Sequence, residues 1–88
     1  MDSKTMSYSL KELDEALVEN TLNEVYSALK EKGYNPTNQI AGYLMSGDPG
    51  YISSYKDARN KMQEVDRAKI VEILLMEFQK KKKWDIWV

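Results

Sequence analysis

Two near-copies of one punctuation mark bracket the middle of this chain and limit what it can become. Gly33 is followed by Asn35-Pro36, and Gly47 by Asp48-Pro49. Glycine takes the left-handed conformation that closes a helix. Asn or Asp then caps the free amides of the next one, and proline occupies its first position without losing a hydrogen bond. Between the marks, Ile40, Tyr43, Leu44 and Gly47 recur at helical spacing, so a short helix with one apolar face is expected. Gly42 lies inside it at a cost of ~1 kcal/mol relative to Ala, which points to a backbone or bulky side chain packed close by. The segment reads as a helix-turn-helix-like centre. On spacing alone, a corner that serves only packing explains it equally well.

Helical periods flank this centre on both sides. Before it, Val18, Leu22, Val25, Tyr26 and Leu29 mark a buried stripe on a helix over about residues 14–32. Glu12, Asp14 and Glu15 near its start, and Lys30 and Lys32 at its end, carry the signs that the helix dipole favours, so the acids need no catalytic role. After the centre, residues 48–52 read as a single turn pinned by Tyr51 and Ile52. A short helix over about residues 55–64 follows, opened by Ser54 and Asp57 in the manner of a capping box. The last helix is expected over about residues 66–81. There Ile70, Val71, Ile73, Leu74, Leu75 and Phe78 cover more than one stripe and so require more than one neighbour. The expected architecture is an all-α bundle of four to five short helices, with a second copy as the extra neighbour in a homodimer. Residues 1–10 lack helical periodicity and read as a flexible tail, residues 11–81 as the helical domain, and residues 82–88 as a basic and aromatic tail.

Composition removes several function classes. A chain of 88 residues is one domain and hides only roughly 60–65% of its unfolded surface, so its core is thin. With no Cys there is no disulfide and no thiolate metal site, and with no His the commonest catalytic base and zinc ligand are gone. Gly42 and Gly47 are not followed by the Lys-Ser/Thr pair of a phosphate-cradling loop. Neither an enzyme nor a cofactor or metal is expected. No apolar run reaches the ~20 residues of a membrane span, and no apolar stretch follows Met1 as in a signal peptide. A cytoplasmic protein is therefore expected. Residues 1–55 hold four Lys/Arg against eight Asp/Glu, net −4, and residues 56–88 hold nine against six, net +3. These are ordinary solvated helix faces, or the acidic half of one copy meeting the basic half of another. A helix-turn-helix nucleic-acid-binding regulator is the alternative function, but such domains are usually strongly basic, and nucleic acid is not expected as a partner. Lys80, Lys81, Lys82 and Lys83 suit a helix end, and with Trp84 and Trp87 they read as a frayed tail or as tryptophans packed on a partner, with an anionic membrane surface as the alternative.

The run Lys32-Gly33-Tyr34-Asn35-Pro36, then Asn38-Gln39-Ile40, Gly42-Tyr43-Leu44 and Ser46-Gly47-Asp48-Pro49, is distinctive, and a second block follows at Ala58-Arg59-Asn60. Together these runs resemble the IreB/ReoM family of small Gram-positive regulatory phosphoproteins, from about Thr5 to Phe78. The resemblance implies a non-enzymatic substrate of a membrane Ser/Thr kinase, with a phosphatase to reset it. It also implies control of peptidoglycan synthesis through an unidentified regulatory protein partner. Thr5, within Thr5-Met6-Ser7-Tyr8-Ser9-Leu10, is the phosphorylation site carried over; the position of a second threonine in some relatives is Asp2 here. From composition alone, the same segment is a featureless polar terminus. Tyr34, Asn35 and Gln39 from the central run, with Arg59 and Arg67, are expected to meet a partner. Arg59, Arg67 or Lys69 are expected to receive the phosphorylated segment, unless its charge instead repels an acidic partner. Lys56 and Asp57 interrupt the pattern before Ala58, and Ser54, Gln63, Glu64, Ala68 and Lys69 also depart from it, so a partner that reads this surface is expected to be bound differently.

Overall fold

Local capping sets the helix boundaries at the centre of the molecule. Gly33 and Gly47 take φ of +90° and +76°. The Asn35 side chain accepts a hydrogen bond from the Asn38 amide at 3.1 Å, with Pro36 as the first helical residue. Asp48 repeats the device, accepting from the Gly50 amide at 2.9 Å ahead of Pro49. The computed structural model describes the backbone of residues 3–82 and the side chains of residues 14–81. Its elements are α1 (Ser3–Glu31), α2 (Pro36–Ser46), 3-10 turns at Pro49–Tyr51 and Tyr55–Asp57, α3 (Ala58–Gln63) and α4 (Arg67–Lys82). There is no strand among the described residues, and the fold is all-α as expected.

Helix α1 is the spine on which α2, α3 and α4 all pack. It buries Val18, Val25, Ala28 and Leu29. Against them lie Ile40 and Tyr43 of α2, Ala58 and Met62 of α3, and Ile70 and Ile73 of α4, with Ile52 and Val65 from the connections. A salt bridge of 3.1 Å from Lys61 to Glu24 runs between α3 and α1. The expected intrusion at Gly42 is present: a Cβ there would lie 2.5 Å from the Tyr51 ring, which lies against the α2 backbone.

Several expectations are corrected. Helix α1 is already formed at Ser3, the first described residue, and does not begin near residue 14, so the described part of the segment read as a tail is helical. The stretch lacks an apolar stripe, but it also lacks any Gly or Pro before Gly33, and a helix propagates until something stops it. Glu12, Asp14 and Glu15 therefore stand roughly three turns inside α1, beyond the first turn to which the dipole effect is confined. Tyr26, expected in the buried stripe, is 46% exposed, and Ala28 is buried in its place. The helix over residues 55–64 is split, because Lys56 and Asp57 take φ of +49° and +63°. Ser54 makes no side-chain cap, since its backbone is already α-helical; Asp57 instead accepts from the Asn60 side chain at 2.8 Å. Of the expected tail at residues 82–88, the backbone of Lys82 is still helical; its side chain and residues 83–88 lie outside the described residues.

The left-handed φ at residue 47 favours glycine, and a Cβ there would lie 2.9 Å from the guanidinium carbon of Arg67, the flexible end of a side chain whose Nη1 donates to the Leu44 carbonyl at 3.1 Å and which would have to move aside. Replacing Gly47 by Ala is expected to cost about 1–3 kcal/mol, from left-handed strain and the displaced Arg67 bond. In urea titrations this is a lower midpoint at an unchanged slope.

Candidate functional site

Four of the polar residues singled out in the sequence, Asn35, Gln39, Arg59 and Arg67, bond to the protein's own backbone in or near α2. Asn35 caps the start of α2. One turn on, the Gln39 side-chain oxygen accepts from the Ser53 amide at 2.9 Å. The Arg59 Nε donates to the Ile52 carbonyl at 2.8 Å, and its own amide donates to the Ser53 carbonyl at 3.1 Å. Gln39 and Arg59 thus meet at one peptide unit, that between Ile52 and Ser53, and satisfy both its polar groups. Arg67 stands at the far end of α2, on the Leu44 carbonyl. Tyr34, in the turn before α2, is exposed. Lys69, 3.7 Å from Glu72, has a carboxylate of its own. The backbone of Thr5 is the third residue of α1; its side chain lies outside the described residues.

A cluster that the sequence did not announce ties the strained segment to the end of α1. The Lys56 ammonium lies 2.7 Å from Glu31, and the Tyr55 hydroxyl donates to the same carboxylate at 3.2 Å. Lys32 and Lys56 stand 5.2 and 5.7 Å from the centre of the Tyr55 ring. Hydrogen bonds from Lys56 first, then Tyr55, hold Glu31 below its ordinary pKa, and Glu31 in turn raises that of Lys56. The Glu31 share of stability is present above the ordinary carboxylate pKa and is lost as pH falls through the lowered one. The Lys56 share is present below the ordinary lysine pKa and is lost as pH rises through the raised one. Both are in place at neutral pH, and both are small because the pair is exposed. Lys56 and Asp57, which interrupt the family resemblance, are also the two non-glycine residues at positive φ among those described.

Where α1, α2 and α4 meet, an apolar groove of about 530 Å³ is left open. Leu22, Tyr26 and Asn23 of α1, Ile40, Ala41 and Thr37 of α2, and Ile73 and Leu74 of α4 line it, with Glu19 and Glu77. Periodicity could not reveal it, because it exists only where three helices diverge, and Tyr26, which periodicity assigns to the buried stripe, instead lines it. Among the described residues no group of His, Cys, Asp or Glu could hold a metal ion. No described helix is long and apolar enough to cross a membrane.

These features define a small all-helical module whose polar side chains fix its own backbone and whose remaining apolar surface faces outward. The family model described as IreB regulatory phosphoprotein matches residues 3–80, and the chain belongs to that family. The matched residues include Thr5 and end before Trp84.

Because Gln39 and Arg59 hold opposite sides of one peptide unit, their contributions are expected to be coupled. Gln39→Ala and Arg59→Ala should each lower stability by about 1–3 kcal/mol by leaving a backbone group without its partner. The double variant should lose less than the sum, by at least about 0.5 kcal/mol, in a denaturation cycle.

Proposed function

We propose that this regulatory phosphoprotein is a cytoplasmic substrate of a membrane Ser/Thr kinase, reset by a phosphatase. In this reading it adjusts peptidoglycan synthesis through a regulatory protein partner. The observation that carries the proposal is the family match, with Thr5 inside the matched residues. Transfer of a phosphoryl group from ATP to the Thr5 hydroxyl adds ~−1.5 to −2 charges. Thr5 lies in the N-terminal part of α1, close to where the described residues begin. A kinase cleft takes its acceptor in extended form, so the first turn must open before transfer, and terminal turns open at low cost. Once modified, the same segment is more acidic. Arg59 and Arg67 already hold carbonyls and Lys69 has Glu72, so the new charge acts at the helix start and on the partner more readily than on these three.

The module also works as a homodimer in this reading. Val71, Leu75 and Phe78, at i, i+4 and i+7, form a second stripe on α4 beside the buried Ile70 and Ile73, and Leu75 is 62% exposed. A second copy laid along this stripe covers it, and the unequal charge of the two halves of the chain favours such pairing.

Treatment with a kinase of this class, followed by mass spectrometry, is expected to place phosphate on Thr5, with loss of the modification in Thr5→Ala. Phosphate elsewhere with Thr5 untouched overturns the assignment. In sedimentation, Leu75→Glu is expected to turn a dimer into a folded monomer; an unaltered chain that is monomeric at every concentration removes the dimer.

A further inference from the structure

We propose that the groove between α1, α2 and α4 docks a basic amphipathic helix of another protein, laid along α2. Its walls are the faces of three helices. On α1 the lining runs from Glu19 to Tyr26 at i, i+3, i+4 and i+7, and on α2 from Thr37 to Ala41 at i, i+3 and i+4. Such faces present ridges, and another helix is what packs between ridges. At about 530 Å³ the groove falls within the roughly 300–1,000 Å³ of sites that enclose a ligand. Tyr26 and Leu74 are 46% and 43% exposed, so a small molecule on the floor would leave much of this surface wet, whereas a helix covers it. Helix α2 has 11 residues and is about 16 Å long, so three turns of a partner match it.

Charge selects the sign of the partner. From Asp14 to Leu29, α1 carries four carboxylates and no lysine or arginine. Helix α2 carries no charged side chain, although 31% of the chain is charged. Glu19 and Glu77 stand in the lining itself. Glu19 makes no ion pair with any described residue. Glu77 meets Lys80 at 3.5 Å in an exposed pair, and the small energy of such a pair lets a partner's base replace it. A helix with leucines on one face and lysine or arginine beside them therefore matches the groove, and an acidic one is repelled. None of Tyr34, Asn35, Gln39, Arg59 and Arg67 lines it, so it is a surface additional to theirs. It needs neither phosphate on Thr5 nor the Val71, Leu75 and Phe78 stripe, and its failure would leave the proposed function standing.

The probe is a synthetic peptide of about 15 residues, long enough to form a helix, with leucine at i, i+3, i+4 and i+7 and lysine elsewhere. Added to the full, unphosphorylated chain with isotopic labels, it is expected to shift the amide signals of Leu22, Tyr26, Ala41 and Leu74 saturably. Added salt should weaken the binding. Two controls should bind several-fold more weakly: a peptide with glutamate in place of lysine, and one with the same composition in an order that has no apolar face. Ala41→Arg, at an exposed position of α2, should lose the binding while helicity and melting are kept. Glu19→Gln with Glu77→Gln should weaken it several-fold, and Val71→Ser should leave it unaltered. Absence of saturable binding overturns the proposal, as does equal affinity for either control. So does binding that shifts Val71, Leu75 and Phe78 in place of the groove, or that survives unchanged in folded Ala41→Arg. Groove signals that move with protein concentration alone assign the seat to a second copy, which also overturns it.

Discussion

One peptide unit, between Ile52 and Ser53, sets the course of the chain after α2. Ile52 is 1% exposed, so a polar backbone beside it must be satisfied from within. Gln39 supplies the acceptor and Arg59 the donor, from helices on either side of the unit. Held in this way, the segment lays Tyr51 on Gly42 and sends the chain through the left-handed pair Lys56-Asp57 into α3. Met62 and Ala58 then reach the spine formed by α1.

What could be read in advance was what is encoded locally. Helix α2 and its caps were legible because Asn35, Pro36, Gly47 and Asp48 act within a few residues of where they stand. The intrusion at Gly42 was legible as a cost awaiting an explanation, though not as Tyr51. The N-terminal part of α1 was not legible, because it carries no apolar stripe and periodicity reports only the face that a helix buries. The split at Lys56 was hidden, since nothing in a lysine or an aspartate announces a positive φ. Gln39, Arg59 and Arg67 stood out by chemistry. Their partners are carbonyls and an amide between 7 and 23 residues away, and such pairings follow from packing, not spacing.

A thin core leaves apolar surface over, and its distribution matters in a regulatory phosphoprotein. Helix α4 turns Ile70 and Ile73 to the spine and keeps a further stripe outward, while the helices diverge around the groove. Phosphate and self-association, as proposed, act at different places on one small body: the N-terminal part of α1 and the outer face of α4. Separation of this kind allows one surface to change without dismantling another.

Arg67 joins α4 to α2. It is the first residue of α4, and its guanidinium closes the last turn of α2. Loosening the beginning of one helix therefore frees the Leu44 carbonyl at the end of the other, while the Gly47 cap remains. A force on α4 would reach the Gly47 corner without passing through the hydrophobic interior.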